Sequence, residues 1–320
     1  MAVYTEVDPD DLAALVARYD IGTVVSCKGI AEGVENSNFL LETSGGRFIL
    51  TLYEKRVSVG DLPFFVDLLA HLAASGCAVP AMIRDRGGEA IQQIAGRAAC
   101  IIQFLPGISL TRPTAGQCRS AGAALGGMHR ALADYPGGRE NSMGHRHWRT
   151  IADATGDLDA VRPGLADVVT AELDYLDAHW PAALPAHVVH ADLFPDNVLM
   201  LGEEVTGLID FYFAATDYRA YDVAVTHASW TFSGDGKTCD RARAGALMAG
   251  YASEIALSDA ECEALPLLAR GCSLRFLLTR AHDWIHTPAD ALVTRKDPSP
   301  FLERLRRYQA VDAADLFAAA

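Results

Sequence analysis

Long apolar runs are missing from this chain. No uninterrupted hydrophobic stretch reaches the roughly 18 residues that a membrane-spanning helix needs, although half of the 320 residues are hydrophobic. The opening residues, MAVYTEVDPDDL, contain no basic segment followed by an apolar one, the pattern of a secretory leader. Both absences predict a cytoplasmic protein. Paired cysteines are missing too. There are seven, Cys27, Cys77, Cys100, Cys118, Cys239, Cys262 and Cys272. The number is odd and no two stand at C-x-x-C spacing, which argues against a disulfide framework or a zinc ribbon. They read as buried structural thiols. Basic residues are scarce beside acids: 27 Lys and Arg against 41 Asp and Glu give a net charge of −14. Such a surface repels phosphate backbones and anionic lipid, so neither nucleic acid nor a membrane is an expected partner. A local basic pocket for a small molecule is compatible with this, because net charge averages the whole surface. No internal repeat or low-complexity tract is present beyond an alanine-rich C-terminus. With 21% charged residues, the composition is that of a globular protein, and the length suggests two domains.

Asp8-Pro9-Asp10-Asp11 reads as a helix start, with a capping Asp, proline at the first helical position and acids at the positive end of the dipole. Leu12, Leu15 and Val16 form its buried face. A glycine-containing loop is expected over 28–38. Phe39 to Thr43 and Arg47 to Tyr53 flank Ser44-Gly45-Gly46 and predict a hairpin. Leu62, Phe65, Leu69 and Leu72 share one helical face up to Gly76. Ala98 to Phe104 reads as a buried strand that Leu105-Pro106-Gly107 breaks. Beyond it the pattern is mostly helical, at about 116–134, 163–180, 241–257 and 260–285. Short apolar runs alternate with Asp, Pro and Gly over 187–213. The expected architecture is a β-rich N-terminal lobe, 1–106, and a mostly helical C-terminal lobe, 107–320.

Chemistry is concentrated in one string, Val188-Val189-His190-Ala191-Asp192-Leu193-Phe194-Pro195-Asp196-Asn197-Val198-Leu199. It holds His-x-Asp-x-x-x-x-Asn between apolar pairs. Gly207-Leu208-Ile209-Asp210-Phe211 follows. Phosphoryl transfer needs this order: an Asp to accept the proton of the attacking hydroxyl, an Asn five residues on to reach a metal, and an Asp after the next strand to hold Mg2+ against the phosphates. The phosphates are negatively charged, so carboxylates face them only with a hard cation between. Asp192 is therefore the candidate base, with Asn197 and Asp210 the candidate metal ligands. His190 is expected to orient the loop. Asp196 either joins the site or only holds the turn after Pro195.

This string resembles the catalytic loop of the aminoglycoside phosphotransferase and choline kinase superfamily, whose members share a two-lobed, protein-kinase-like α+β fold. The resemblance then narrows. Gly29 to Phe39, Ile49 to Arg56, Asp61 to Phe65, His190 to Val198, Ile209 to Ala214 and Leu274 to Arg280 look like homoserine kinases of the kinase-like bacterial type. Lys296-Asp297-Pro298 and Arg304-Leu305-Arg306 fit too. The resemblance implies ATP-dependent O-phosphorylation of L-homoserine in threonine biosynthesis, with Mg2+ as cofactor. A kinase for another small alcohol, of the aminoglycoside, choline or methylthioribose type, is the alternative. A catalytically dead nucleotide-binding regulator is the rival outside enzymes.

On this resemblance Gly29, Gly33, Asn36, Ser37 and Asn38 are expected to approach phosphate. Gln103, Phe104 and Leu105 would be the hinge whose backbone pairs with adenine. One departure stands out. The third-strand Lys of kinases is replaced by Thr51, and Lys28, Lys55 or Arg56 are the nearby cations. For the acceptor, Arg275, Arg280, Asp283 and Trp284 lie on one expected helix. Arg275 is the first candidate for the carboxylate of a zwitterion, since a guanidinium grips a carboxylate as a fork. The alternative is that Arg275 only braces the lobe, in which case Arg280 takes its place. Asp217, Tyr218, Arg219 and Asp222 are expected to lock the loop structurally.

Overall fold

The computed structural model describes residues 5–30, 36–54, 57–287, 295–310 and 312–318. Two compact units result, one ending at Pro106 and the other beginning at Gly107.

In the first unit Asp8 caps α1 (Pro9–Val16), accepting the N–H groups of Asp10 and Asp11 at 2.8 and 3.3 Å. Strands β1 (Val24–Gly29), β2 (Asn36–Thr43) and β3 (Gly46–Tyr53) precede helix α2 (Leu62–Ala74). Short strands β4 (Met82–Ile83) and β5 (Gln92–Ile94) then lead to β6 (Arg97–Gln103). The sheet is antiparallel, in the order β1-β2-β3-β6-β4, with β5 also on β6. Thr43 pairs with Gly46, so Ser44 and Gly45 close the hairpin, and Gly46 takes φ 147° where a side chain would be strained. Leu41, Leu50, Leu52 and Ile101 pack with Leu12, Leu15 and Val16 of α1 into one core. The expected loop over 28–38 is shorter than its polar composition suggests. Lys28 and Gly29 belong to β1, and Asn36, Ser37 and Asn38 to β2.

The second unit contains α3 (Ala115–Leu132), α4 (Trp148–Thr155), α5 (Leu165–His179), α6 (Arg219–Trp230), α7 (Arg241–Ala252), α8 (Asp259–His286) and α9 (Ser299–Tyr308). Between α5 and α6 lie β7 (Ala186–Val189), β8 (Val198–Leu201), β9 (Glu204–Leu208) and β10 (Ala215–Tyr218). They form two antiparallel ribbons, β7 with β10 and β8 with β9. Capping boxes fix the starts of α3 (Thr114 with Gln117) and α8 (Ser258 with Glu261). Helix α8 packs against α4, α5, α6 and α9. No described helix is long and apolar enough to cross a membrane. Three helices, α4, α6 and α9, are additional to those expected. In α6 ten residues from Ala220 to Trp230 are buried, so it lacks the polar face that reveals a helix in sequence.

Helices α3 and α7 meet backbone to backbone. A methyl group at Gly122 would strike the Leu247 carbonyl oxygen, and one at Gly250 the Arg119 carbonyl oxygen. Gly250→Ala is therefore expected to destabilise by about 1–3 kcal/mol through overpacking, with Tm falling roughly 2–4 °C per kcal/mol. Gly234→Ala, where a methyl group meets nothing within 4 Å, is the control and should leave Tm unchanged. Equal melting of the two variants would refute the close packing.

Candidate active site

Strand β7 ends in a loop that is bent against its own preference. Ala191 adopts φ 61°, a left-handed conformation that costs an L-residue about 1–2 kcal/mol. Two side chains hold it there. Asp222, in the first turn of α6 and fully buried, accepts the His190 N–H on Oδ2 and the Ala191 N–H on Oδ1, each at 2.8 Å. Arg275 of α8 donates from Nη1 to the Ala191 carbonyl oxygen. The peptide on either side of Ala191 is thus gripped by an anion at its N–H and a cation at its oxygen. His129 of α3 sits 3.1 Å from Asp222 Oδ2 through Nε2. Burial pushes the Asp222 carboxyl up, but His129 and the loop N–H groups outweigh it and hold Asp222 below the ordinary range.

His190 is fully buried, and burial holds its pKa down, so it is neutral. Nε2 donates to the Ile209 carbonyl at 3.0 Å and Nδ1 accepts the Asp192 N–H at 3.3 Å. Its ring lies 4.5 Å from that of Phe211. Both nitrogens are committed to backbone, which leaves it an orienting rather than a proton-accepting part. Pro195 opens the short turn Pro195–Asn197. From there Asn197 Nδ2 donates to the Asp192 carbonyl at 2.8 Å and to Asp192 Oδ2 at 3.2 Å. Asn197 also accepts the Ile209 N–H at 3.0 Å, tying the turn to the end of β9. Trp230 Nε1 donates to the Leu193 carbonyl at 2.9 Å.

The Asp192 side chain retains 17% exposure. Its pKa is pushed up to about 8, first by burial, with the Asp210 and Asp196 carboxylates adding to the rise and Arg275 and Lys296 opposing it. Arg275 Nη2 stands 4.0 Å from Asp192 Oδ1. Asp210 is left-handed at φ 65°, ψ 57°, a region short polar side chains tolerate, and its side chain is exposed. The amide nitrogen of Asn197 is committed to Asp192, so its carbonyl oxygen is what it offers a cation. Asp210 and Asn197 thus supply hard oxygen donors beside a carboxylate that feels the charge of Asp210, a donor set that suits Mg2+. Among the described residues no cluster of three or more His, Cys, Asp or Glu is assembled, and a Mg2+ ion that shares phosphate oxygens needs none.

The acceptor-side residues separate. Arg275 does not present itself to a substrate carboxylate, which corrects the first choice made from the sequence. It is 2% exposed, spends Nη1 on Ala191, and lies over the Phe276 ring at 4.4 Å. It braces the loop through Ala191, not through Asp217 or Asp222. Arg280 is half-buried, donates to the Asp297 carbonyl at 3.3 Å and lies over Phe301 at 4.5 Å. Trp284 carries Arg295 on its ring at 4.9 Å, and Asp283 is partly buried. Asp217 accepts from Asn141 Nδ2 at 2.6 Å. Asp196 meets Lys296 at 3.3 Å.

In the first unit the expected phosphate-binding residues are described only in part. Gly33, Lys55 and Arg56 lie outside the described residues, and Gly29 pairs with Phe39. Asn36 and Ser37 are buried in the sheet, against expectation. Ser37 Oγ donates to Glu54 at 2.7 Å, and Asn38 Oδ1 accepts from Thr51 Oγ1 at 2.7 Å. Of the expected hinge, Gln103 uses its backbone N–H on the Ala81 carbonyl at 2.8 Å. His129 was not singled out in the sequence. It stands 93 residues from Asp222, and no local spacing marks it.

Three comparisons bear on the chain. The phosphotransferase enzyme family (APH) matches residues 26–257. A homoserine kinase of Xanthobacter autotrophicus is 52% identical over 315 residues, covering 98% of this chain and 98% of its own. Among solved structures, a microcompartment-associated aminopropanol kinase is similar with a TM-score of 0.71 at 20% identity, over 97% of this chain and 100% of its own. An amicoumacin kinase solved with AMP-PNP, Ca2+ and Ami is also similar, with a TM-score of 0.71 at 16% identity, over 98% and 95%. The last two likenesses carry the fold.

Asp222→Asn tests the grip on the loop. It replaces one charged acceptor with an N–H donor facing N–H donors. The expected result is a stability loss of about 1.5–3 kcal/mol, as for hydrogen bonds to charged groups, together with loss of turnover. Unchanged Tm and unchanged kcat would show that the loop holds its shape without Asp222.

Proposed function

From the premise that this chain belongs to the phosphotransferase enzyme family, we propose that it transfers the γ-phosphoryl group of ATP to the side-chain hydroxyl of L-homoserine, with Asp192 as the base. The products are O-phospho-L-homoserine and ADP. The observation that carries the assignment of roles is the fixed pose of Asp192. Backbone bonds clamp the residue before it, Asn197 holds its carboxylate, and the same carboxylate still reaches solvent.

The hydroxyl of homoserine is a weak nucleophile, and Asp192 would orient it and take its proton as the new P–O bond forms. Asn197 keeps Asp192 in one rotamer, so that little ordering remains to be done when substrate binds. Arg275 braces the peptide beneath. His190 fixes the distance between the loop and the strand end that carries Asp210. Asp210 and Asn197 would hold Mg2+, which when bound neutralises charge on the phosphates. Phe104 and Leu105 would meet adenine by their backbone, and Gly29 would lie near the phosphates.

A coupled ADP-release assay over homoserine, choline, an aminoglycoside and methylthioribose tests the reaction. Homoserine should be turned over best; equal or better use of another alcohol would refute it. Asp192→Asn should lower kcat roughly 10²–10⁴-fold with little change in the KM for ATP. It should also stabilise the protein. A carboxyl raised from 3.8 to about 8 on folding costs the folded state increasing stability as pH rises between those values, and no more above them. The Tm advantage of Asp192→Asn over wild type should therefore grow from about pH 4 to about pH 8 and then level. A constant difference would mean an ordinary carboxyl. Asp210→Ala should abolish turnover and remove saturation by Mg2+ at fixed ATP; an unaltered Mg2+ titration would exclude Asp210 as a ligand.

A further inference from the structure

Two partly buried guanidinium groups of the second unit fork onto a carboxylate. Arg270 forks onto Glu172 at 2.7 and 2.8 Å, and Arg219 onto Glu261 at 2.5 and 2.6 Å. Arg304 of α9 does not. It is 7% exposed, and among the described residues no carboxylate lies within ion-pair distance of it. Its buried Nε has no hydrogen-bond partner. The guanidinium lies over the Phe301 ring at 4.3 Å and near the Phe232 ring at 5.8 Å. Burial of a cation without a counter-ion is costly and persists in proteins where function needs it.

A second guanidinium shares the same ring. Arg280 of α8 lies 4.5 Å from the Phe301 centroid. Its one described hydrogen bond goes to a backbone carbonyl, that of Asp297. Burial first, and then the nearby charge of Arg304, lower its pKa to about 10. The negative charges that oppose this shift come from Asp192, Asp196 and Asp297. Two like charges held on one phenyl ring, neither in ion-pair contact with a carboxylate among the described residues, are a place prepared for an anion, and Arg280 lies within the field of Asp192. Contact with one planar ring pre-orients both forks, and a carboxylate is the planar anion that such forks match.

We propose that Arg280 and Arg304 form the subsite for the α-carboxylate of the acceptor, and so select an amino acid bearing a hydroxyl over an amino alcohol. The inference rests on the assignment of homoserine as acceptor. In homoserine the carboxylate lies a few bonds from the reacting hydroxyl, so a carboxylate anchored on these guanidiniums leaves the hydroxyl free to meet Asp192. Arg304 contributes selectivity because it is buried, where an unmatched ligand leaves its charge without a partner.

The test uses Arg304→Met and Arg280→Met, which keep an unbranched stem against Phe301, and Arg304→Lys. KM and kcat are measured for L-homoserine and ATP. Inhibition constants are measured for L-2-aminobutyrate, which keeps the carboxylate but lacks the hydroxyl, and for 3-aminopropan-1-ol, which keeps the hydroxyl but lacks the carboxylate. In Arg304→Met the KM for homoserine and the inhibition constant for L-2-aminobutyrate should both rise about 30-fold or more, in line with loss of a buried charge partner. The KM for ATP and the inhibition constant for 3-aminopropan-1-ol should stay within about twofold. Arg304→Lys should recover part of the loss. Should Arg304→Met fail to fold by thermal melting, Arg280→Met, at a half-exposed position, must show the same split. An unmoved homoserine KM in both folded variants would overturn the subsite while leaving the reaction intact. A KM for ATP that rises as much as that for homoserine would also overturn it, by making the anion a phosphate. Wild-type inactivity toward homoserine would defeat the proposed reaction itself.

Discussion

A single buried carboxylate organises the catalytic half of this molecule. Asp222 takes two consecutive loop N–H groups on its two oxygens, and that pairing pays for the left-handed turn at Ala191. Without it the loop would relax toward an extended path, and alternate residues would exchange sides. Asp192 follows directly after the turn, so its direction is set by Asp222 rather than by anything at Asp192 itself. Burial of the anion is tolerable because His129, the two N–H donors and the neighbouring His190 surround it. The close approach of α3 to α7 through Gly122 and Gly250 serves the same end, since α3 carries His129.

Charge within the second unit is arranged in two poles. Asp192, Asp196 and Asp210 gather at the loop, and the other two carboxylates add to the rise that burial imposes on Asp192. Arg280 and Arg304 gather on Phe301, and the charge of Arg304 adds to the lowering that burial imposes on Arg280. Arg275 and Lys296 each oppose the rise of Asp192. An acceptor that is itself a zwitterion with a hydroxyl would answer both poles, as would a cation beside the carboxylates. The net charge of −14 hides this, because the arginines concerned are few and lie inside.

The parts that were legible in the sequence are those where chemistry forces residue type and spacing together. His190, Asp192, Asn197 and Asp210 had to be read as a group, and the structure does bring His190, Asp192 and Asn197 into one hydrogen-bonded loop. The helices with an apolar stripe, α2 and α3 among them, were legible for the same kind of reason. Helix α6 was not, because burial on nearly all sides erases its period. Asn36 to Asn38 were misread as loop because their polarity suggests solvent, whereas Ser37 and Asn38 are satisfied inside the sheet by Glu54 and Thr51. The roles of Arg275 and Arg304 were also out of reach. Both are arginines on helices, and only packing distinguishes the one spent on a backbone carbonyl from the one left without a partner.

The Thr51–Asn38 hydrogen bond has a consequence for how such sequences can drift. Thr51 is 2% exposed and faces Asn38 across paired strands. A lysine at that position would bring an ammonium into the sheet, where the Asn38 carbonyl oxygen alone could not replace its lost water. An acid or a smaller residue at position 38 would have to accompany it. The two positions therefore form one coupled unit of sequence, and a double-mutant cycle across them should give a free energy far from the sum of its single steps.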